Sequence, residues 1–322
     1  MRRTLRRALK AVGSRVEFAD DFTPEKASGA ALIIIDQDCR RNSDPGAIQV
    51  VGEGGKIIIM GESLADDEVL SVLRQLPMNH IITDAHAPDE SELVVTTVKL
   101  LSGDIFGVHK YLAWGAKIHE IEISTYTNKR RALLDVAAHA KETGARRQII
   151  AKIESVADEL LMNALYDAPA VRDSRDRQVH IDNSINDDHV CEEPALLRYA
   201  SDGRYFAVSV QDNYGELHKD AILEHLARAR RDKGRPQPRD SKTGGAGLGL
   251  YMILSSVTRF IANIEPGKRT EVICLFDLRQ SGRTSSAVAQ SLHIFETARR
   301  RHDTNPGELD GGVQLAAVAE EA

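Results

Sequence analysis

The stretch Gly244-Gly245-Ala246-Gly247-Leu248-Gly249-Leu250 decides how this chain of 322 residues is read. Glycines at alternate positions let a backbone approach an anion closely and take positive φ. The apolar pattern from Leu248 to Ile261 begins at once and predicts a helix. The free N–H groups and positive dipole end of that helix would face a phosphate. No Lys-Ser/Thr follows the glycines, so this is not a Walker A loop. No strand runs directly into it, so it is not a dinucleotide fingerprint either. A glycine-rich loop does not by itself name its ligand, and the flanking sequence has to supply the rest.

Upstream, Arg147 to Ala168 has an apolar face of Ile150, Ile153, Val156, Ala157, Leu160, Leu161 and Ala164, which predicts a helix stopped by Pro169. On it, Glu159 and Asn163 are four apart and share a face. A carboxamide oxygen can serve a hard cation such as Mg²⁺, and a neighbouring carboxylate can orient or deprotonate a nucleophile. A solvated Glu beside an ordinary surface Asn is the plainer alternative. Tyr205 to Val210 predicts a strand with Phe206, Val208 and Val210 on one face. Just past it, Asp212 could accept a hydrogen bond from an exocyclic amine and so tell one base from another. Asp-Asn-x-Gly is also a common turn. Further on, Pro266-Gly267-Lys268-Arg269-Thr270 reads as a turn into a strand, Glu271 to Leu278. A strand around Ile118 to Ile123 and helices over 131–144 and 221–230 complete the expected elements of 117–278. The expectation for Arg172 to Pro194 is a loop or a ragged strand pair.

Taken in order, these motifs are a Glu/Asn helix, a strand-end Asp, a glycine loop opening a helix, and Gly-x-x-Thr before a last strand. The series resembles the GHKL (histidine kinase-like) ATPases over 117–278, about half of the chain. The resemblance implies an α+β sandwich. It makes Asn163 the Mg²⁺ ligand, Glu159 the general base, Asp212 the reader of the adenine amino group and Thr270 a neighbour of the adenine. Gly245, Gly247 and Gly249 would face the phosphates, with Gly215 and Leu248 completing the cofactor-binding set. Residues 216–243 would be the ATP lid. The family has Asp-x-Gly-x-Gly after the strand; here Tyr214 and Glu216 occupy the glycine positions, so the loop under the adenine must differ.

The lid carries seven basic residues between Arg228 and Lys242 against Asp232 and Asp240. Such a loop could clamp triphosphate charge or dock an acidic partner. A solvated loop, favoured by Pro236 and Pro238, is the alternative. Aromatic residues do not interleave with the charges, so nucleic acid is not the expected partner. A sensor histidine kinase would need a phospho-accepting His followed by Glu/Asp-x-x-x-Pro, and none of His109, His119 and His139 has that context. A strand and two helices ahead of Asn163 look more like the anti-sigma-factor serine kinases. The expectation is therefore an ATP- and Mg²⁺-dependent bacterial signalling protein. Its partner would be a sigma factor, an anti-sigma antagonist or a response regulator, and a homodimer stays open. A non-catalytic nucleotide-dependent binding module and an atypical histidine kinase are the alternatives.

The first hundred residues alternate short strands with helices. Ala31-Leu32-Ile33-Ile34-Ile35-Asp36 is an apolar run ending in a carboxylate, as in a buried parallel strand. Lys56 to Met60 and His80 to Thr83 are two more such runs. Helical spacing appears at Leu5, Leu9 and Val12, around Val69 to Leu73, and at Val94, Val98 and Leu101. This α/β domain resembles a response-regulator receiver (a flavodoxin-like fold) that is truncated and degenerate. Asp36 stands at the phospho-acceptor position, but the first strand and its acidic pair are missing. Gly61 replaces Ser/Thr, with Ser63 two residues late, and only Asp84 is near where a Lys is expected. The implied role is partner binding. The expected division is a receiver-like domain at 1–103, a connector at 104–116, an ATPase-like domain at 117–296 and a disordered tail at 297–322. The aromatic residues Phe106, Tyr111 and Trp114 of the connector are expected to pack.

Composition sets outer bounds. Forty-two percent of residues are hydrophobic and 28% charged, with a net charge of −6, which excludes a globally basic nucleic-acid binder. Cys39, Cys191 and Cys274 are scattered and give no disulfide or zinc pattern. No run of 18 apolar residues is present, so no membrane span is expected. Arg6, Arg7 and Lys10 interrupt what would be the apolar core of a signal peptide, and a cytoplasmic location is the expectation.

Overall fold

The structure, a computed structural model, describes residues 1–52, 56–61, 64, 67–83, 89–169, 171, 190–231, 246–279, 289–297 and 314–318. It is mixed α/β and divides into two units, one made of Met1–Ile105 with Gln290–Ala322, the other of Phe106–Ala289. Among the described residues no helix is long and apolar enough to cross a membrane.

In the first unit α1 (Arg2–Ala11) leads to β1 (Arg15–Ala19), and α2 (Pro24–Ala27) to β2 (Leu32–Asp36). Next come α3 (Gln37–Asn42), α4 (Pro45–Gly52), β3 (Ile57–Met60), α5 (Asp67–Gln75), β4 (His80–Ile82) and α6 (Glu90–Ser102). β2, β3 and β4 pair in parallel, with Ile34 opposite Ile58 and Ile58 opposite His80. Leu32, Ile34, Ile58, Met60 and Ile82 form a core with Leu5 and Leu9 of α1 and Leu93 of α6. The alternate residues Ile33, Ile35, Ile57, Ile59 and Ile81 are buried as well. Period two turns them to the other face. Burial on both faces is why these strands read as unbroken apolar runs. The short helices α2 and α3 escape periodicity and are held by side-chain caps, Thr23 and Asp36.

The stretch expected as a connector, 104–116, belongs from Phe106 onward to the second unit itself. Gly107 donates its N–H to the Glu271 carboxylate at 2.7 Å, and Ala113 donates to Asp202 at 3.0 Å. Of the three aromatics expected to pack, Tyr111 is buried, Phe106 lies 3.8 Å from the Arg269 guanidinium, and Trp114 is fully exposed. Then follow β5 (His119–Thr125), α7 (Tyr126–Glu142), α8 (Arg147–Met162), β6 (Val190–Ser201) and β7 (Tyr205–Asp212). α9 (Lys219–Arg231), α10 (Ala246–Ser256), β8 (Arg259–Glu265) and β9 (Arg269–Asp277) complete it. The sheet is antiparallel in the order β8-β9-β7-β6-β5. α8 packs on β7 and β9, and also against α7 and α10.

Two expectations change here. The helix expected to run to Ile261 ends at Ser256, and β8 takes up the apolar residues beyond it. Nor does Pro169 stop the helix after α8, because residues 168 and 169 are still helical. Between them and α8, Asn163–Asp167 forms a π turn, in which Ala168 donates its N–H to the Asn163 carbonyl. A helical proline clashes with the carbonyl four residues earlier. For Pro169 that residue is Leu165, inside the wider π winding.

The chain then returns to the first unit, which moves two expected boundaries. β10 (Ser291–Glu296), assigned above to the ATPase-like domain, pairs antiparallel with β4, placing Ser291 opposite Ile82. β11 (Gln314–Val318), expected as part of a disordered tail, lies parallel between β1 and β2. Leu315 is opposite Val16 on one side and Leu32 on the other. The strand order of this unit is β1-β11-β2-β3-β4-β10. Backbone pairing supplies the reason: without β11, the facing edges of β1 and β2 would have no ladder partner between them.

Candidate functional site

The β7–β9 register builds the floor of the site. Asp212 is directly opposite Thr270, and Val210 opposite Val272. Residues two apart share a face, so all four point to one side. Leu160, Asn163 and Ala164 come from the helix above, and Leu217, His225 and Leu250 close the sides. Together they line a pocket of ≈ 190 Å³. Slipping the ladder by one residue would turn Asp212 and Thr270 away from it.

Asp212 is half-buried, and its Oδ1 accepts the N–H groups of Tyr214 at 2.9 Å and Gly215 at 3.1 Å. Burial raises its pKa, while those N–H groups and that of Thr270 pull the other way, and nearby Glu216 adds to the rise. The loop after β7 solves its altered sequence with one glycine. Gly215 has φ +67, and a Cβ there would come within 2.6 Å of the Lys268 nitrogen and 2.7 Å of the Gly267 nitrogen. Its carbonyl accepts the Gly267 N–H at 3.1 Å, which fastens the loop to the β8–β9 turn. Tyr214 is buried. Thr270 is 2% exposed, and its hydroxyl has no hydrogen-bond partner among the described residues. Buried polar atoms are almost always paired, so a group within this pocket would complete it.

Asn163 is the first residue of the π turn, and π turns recur at functional sites. Glu159, one turn earlier, does not line the pocket itself. It lies against α10, where a Cβ built on Gly249 would overlap the Glu159 carboxylate. Glycine at 249 is thus what gives Glu159 its place. The pKa of Glu159 is raised by burial first, then by the charges of Asp167 and Asp158, with Lys129 acting in the opposite sense. Lys129, almost fully buried on α7, pairs with Asp158 at 2.6 Å. On the opposite face of the sheet, the fully buried Glu271 is satisfied by Gly107 N–H, by Ser209 at 3.0 Å and by Asn263 at 3.0 Å. That carboxylate anchors the strand residue next to Thr270.

The structure thus gathers Asn163, Asp212 and Thr270 in one pocket and places Glu159 against Gly249 beside it. Gly247 and Leu248 belong to the first turn of α10 and not to a loop ahead of it. Gly244, Gly245 and the lid residues 232–243 lie outside the described residues, while 219–231 of the expected lid form α9. Lys219 at its start is lowered to about 8 by burial. Sequence reasoning missed Asp167 and His225, both of which line the pocket. For Asp167 the available signal was its spacing, four residues beyond Asn163.

In the first unit, the Oδ1 of the buried Asp36 accepts the Cys39 N–H at 2.8 Å and caps α3. Ser63 and Asp84 lie outside the described residues. Among the candidate phospho-acceptors, His119 and His139 have ring centroids 4.5 Å apart, and His119 stacks on Tyr199 at 5.0 Å. His109 is exposed.

The donor set fits a nucleotide carrying a divalent cation. Asn163 offers a neutral oxygen and the carboxylates beside it suit a hard ion. Asp212 can accept from an amine, and the Thr270 hydroxyl is open to a partner. Compared with known proteins, the sequence matches no family model and no curated protein.

Proposed function

We propose that the second unit binds ATP with Mg²⁺ in the manner of the GHKL ATPases and acts as a protein serine kinase of the anti-sigma type. The observation that carries this reading is the convergence of Asn163, Asp212 and Thr270, from a helix and two adjacent strands, on one pocket. Three positions separated widely in sequence line one pocket, which supports the reading. Asn163 would hold Mg²⁺, Asp212 would take the adenine amino group and Thr270 would complete the base contacts. Glu159 would accept the proton of a substrate hydroxyl, and its raised pKa suits a base working nearer neutrality than a free carboxylate does. When bound, Mg²⁺ supplies charge neutralisation at the phosphates.

The first unit supports the receiver-like reading in one respect. The strand missing ahead of Asp36 in sequence has a counterpart in β11, which pairs in parallel beside β2. Asp36 already serves as a helix cap, which favours a partner-binding role over phosphorylation. A protein partner in signalling, and a cytoplasmic location, go with this reading.

Calorimetric titration of Mg²⁺-ATP into wild type and Asn163→Ala tests the proposal. Mg²⁺-dependent binding lost in the variant is the expected result. Equal affinity in the two proteins would overturn the role of Asn163, and no binding to wild type would overturn the nucleotide reading. Loss of protein-serine phosphotransfer in Glu159→Ala, with ATP binding retained, would separate a kinase from a non-catalytic module.

A further inference from the structure

The helix that carries Glu159 and Asn163 does not continue as an ordinary α-helix. In an α-helix a step of four residues overshoots a full turn by roughly 40°. Two such steps would carry residue 167 roughly 80° round the axis from residue 159. The step from Asn163 to Asp167 is instead the π turn. Its wider winding takes up more than four residues per turn, so the rotation falls back and not forward. Asp167 therefore returns toward the line of Glu159. Two observations agree with this placement. Asp167 lines the same pocket as Asn163, Asp212 and Thr270. Its charge is also felt at Glu159, two steps back along the helix. Asp167 remains accessible to solvent, so a cation can reach it.

From this juxtaposition we infer that Asp167 is a second carboxylate of the divalent-cation site, acting with Asn163 and set in place by the π turn. The inference rests on the nucleotide reading for the identity of the pocket's occupant, but the cation site can be measured without nucleotide. Mg²⁺ and Mn²⁺ are bound through oxygen ligands in octahedral geometry, generally one or two carboxylates with phosphate oxygens and water. The resemblance supplies a single neutral ligand, Asn163. Asp167 adds the negative charge that would let the protein hold the cation before the phosphates arrive. The Thr270 hydroxyl, 2% exposed in the same pocket and without a hydrogen-bond partner among the described residues, is independent evidence that this space receives a ligand.

The test is a Mn²⁺ titration of the full chain followed by electron paramagnetic resonance, with and without ATP, in wild type and Asp167→Asn. The substitution is nearly isosteric and at an accessible position, and circular dichroism would verify the fold. Asp167→Asn should weaken Mn²⁺ binding at least about tenfold, the scale seen when the environment of a metal site is altered. In EDTA its affinity for ATP should equal or exceed that of wild type, because a negative charge has left the pocket. If Mn²⁺-ATP binds both proteins equally, the inference falls and the nucleotide reading stands. If Mn²⁺ alone binds wild type, is lost in the variant, and ATP binds neither, the cation site stands and the nucleotide reading falls. If wild type takes up neither Mn²⁺ nor ATP, both fall.

Discussion

Replacing Gly249 by alanine separates stability from activity in a way that tests the central geometry. Gly249 sits in the first turns of α10 with its backbone against the Glu159 carboxylate. Alanine there removes the conformational freedom of glycine and should favour the helix by about 0.5–1 kcal/mol. The new Cβ, however, overlaps the end of the Glu159 side chain and not backbone. That end can swing away, at a cost of about 0.5–1.5 kcal/mol if it is forced off its preferred rotamer. The two effects nearly cancel, so the urea midpoint should move little. Function should not be spared. On the proposed reading a displaced general base would cost about 10²–10⁴ in rate, while ATP affinity, assigned there to Asn163, Asp212 and Thr270, should change little. The assay is paired: urea unfolding and calorimetric ATP titration for integrity, and phosphotransfer to serine for activity. A stability loss above about 2 kcal/mol would mean that Glu159 is locked in place and that the cancellation is wrong. Unchanged stability with unchanged phosphotransfer would mean that the position of Glu159 does not matter to the reaction.

Three other perturbations reach different parts of the architecture. Glu271→Ala strips the acceptor from Gly107, Ser209 and Asn263 in a fully buried place and removes the carboxylate 3.6 Å from the Arg198 guanidinium, and should cost about 3–5 kcal/mol in urea unfolding; a loss below 1 kcal/mol would show that these donors find water instead. Gly215→Ala places a Cβ against the β8–β9 turn at a positive φ, so it should destabilise by more than about 1 kcal/mol and weaken ATP through Asp212; unaltered stability and affinity would refute the close approach. The raised pKa of Glu159 has a definite sign in pH. The folded state holds this proton more tightly than the unfolded chain, so the group favours folding most below its ordinary value of 4.5, and that contribution fades as pH rises through the folded value. The acid limb of the rate profile should accordingly lie above 4.5 and move down in Asp158→Asn, and a limb that stays put would remove the charge coupling.

Much of the floor of the site could be read from residue patterns, and the failures share a cause. Strands buried on both faces announce themselves as unbroken apolar runs, and Leu32–Asp36 and Ile57–Met60 lie within a residue of their expected limits. Asn163, Asp212 and Thr270 each stand at an element end where local pattern is strong. β8 was hidden because apolar residues continue from α10 through Val257 into Phe260 and Ile261 with no glycine or proline between. Periodicity cannot divide so short a run. β10 and β11 acquire their structure from strands far away in sequence, and Ala316 and Ala317 have little strand preference of their own. The π turn depends on a hydrogen-bond choice that no residue type in Asn163–Asp167 enforces. That is why Asp167 passed for an ordinary helical residue.

The interleaving of the two units imposes an order on biosynthesis. A ribosome delivers β1 and β2 early, but β11, which separates them and bonds to both, only after the whole of 106–289 has been made. The second unit is one continuous stretch and can close its sheet while translation proceeds. The first must wait, with the edges of β1 and β2 exposed and open to non-native pairing. A nascent chain long enough to bring residue 289 out of the ribosome, but not residue 314, would carry a finished pocket in the second unit while the first unit's sheet still lacked an interior strand. Chaperone dependence, if measured on stalled chains, should therefore belong to the N-terminal segment and disappear only once Gln314–Val318 has emerged.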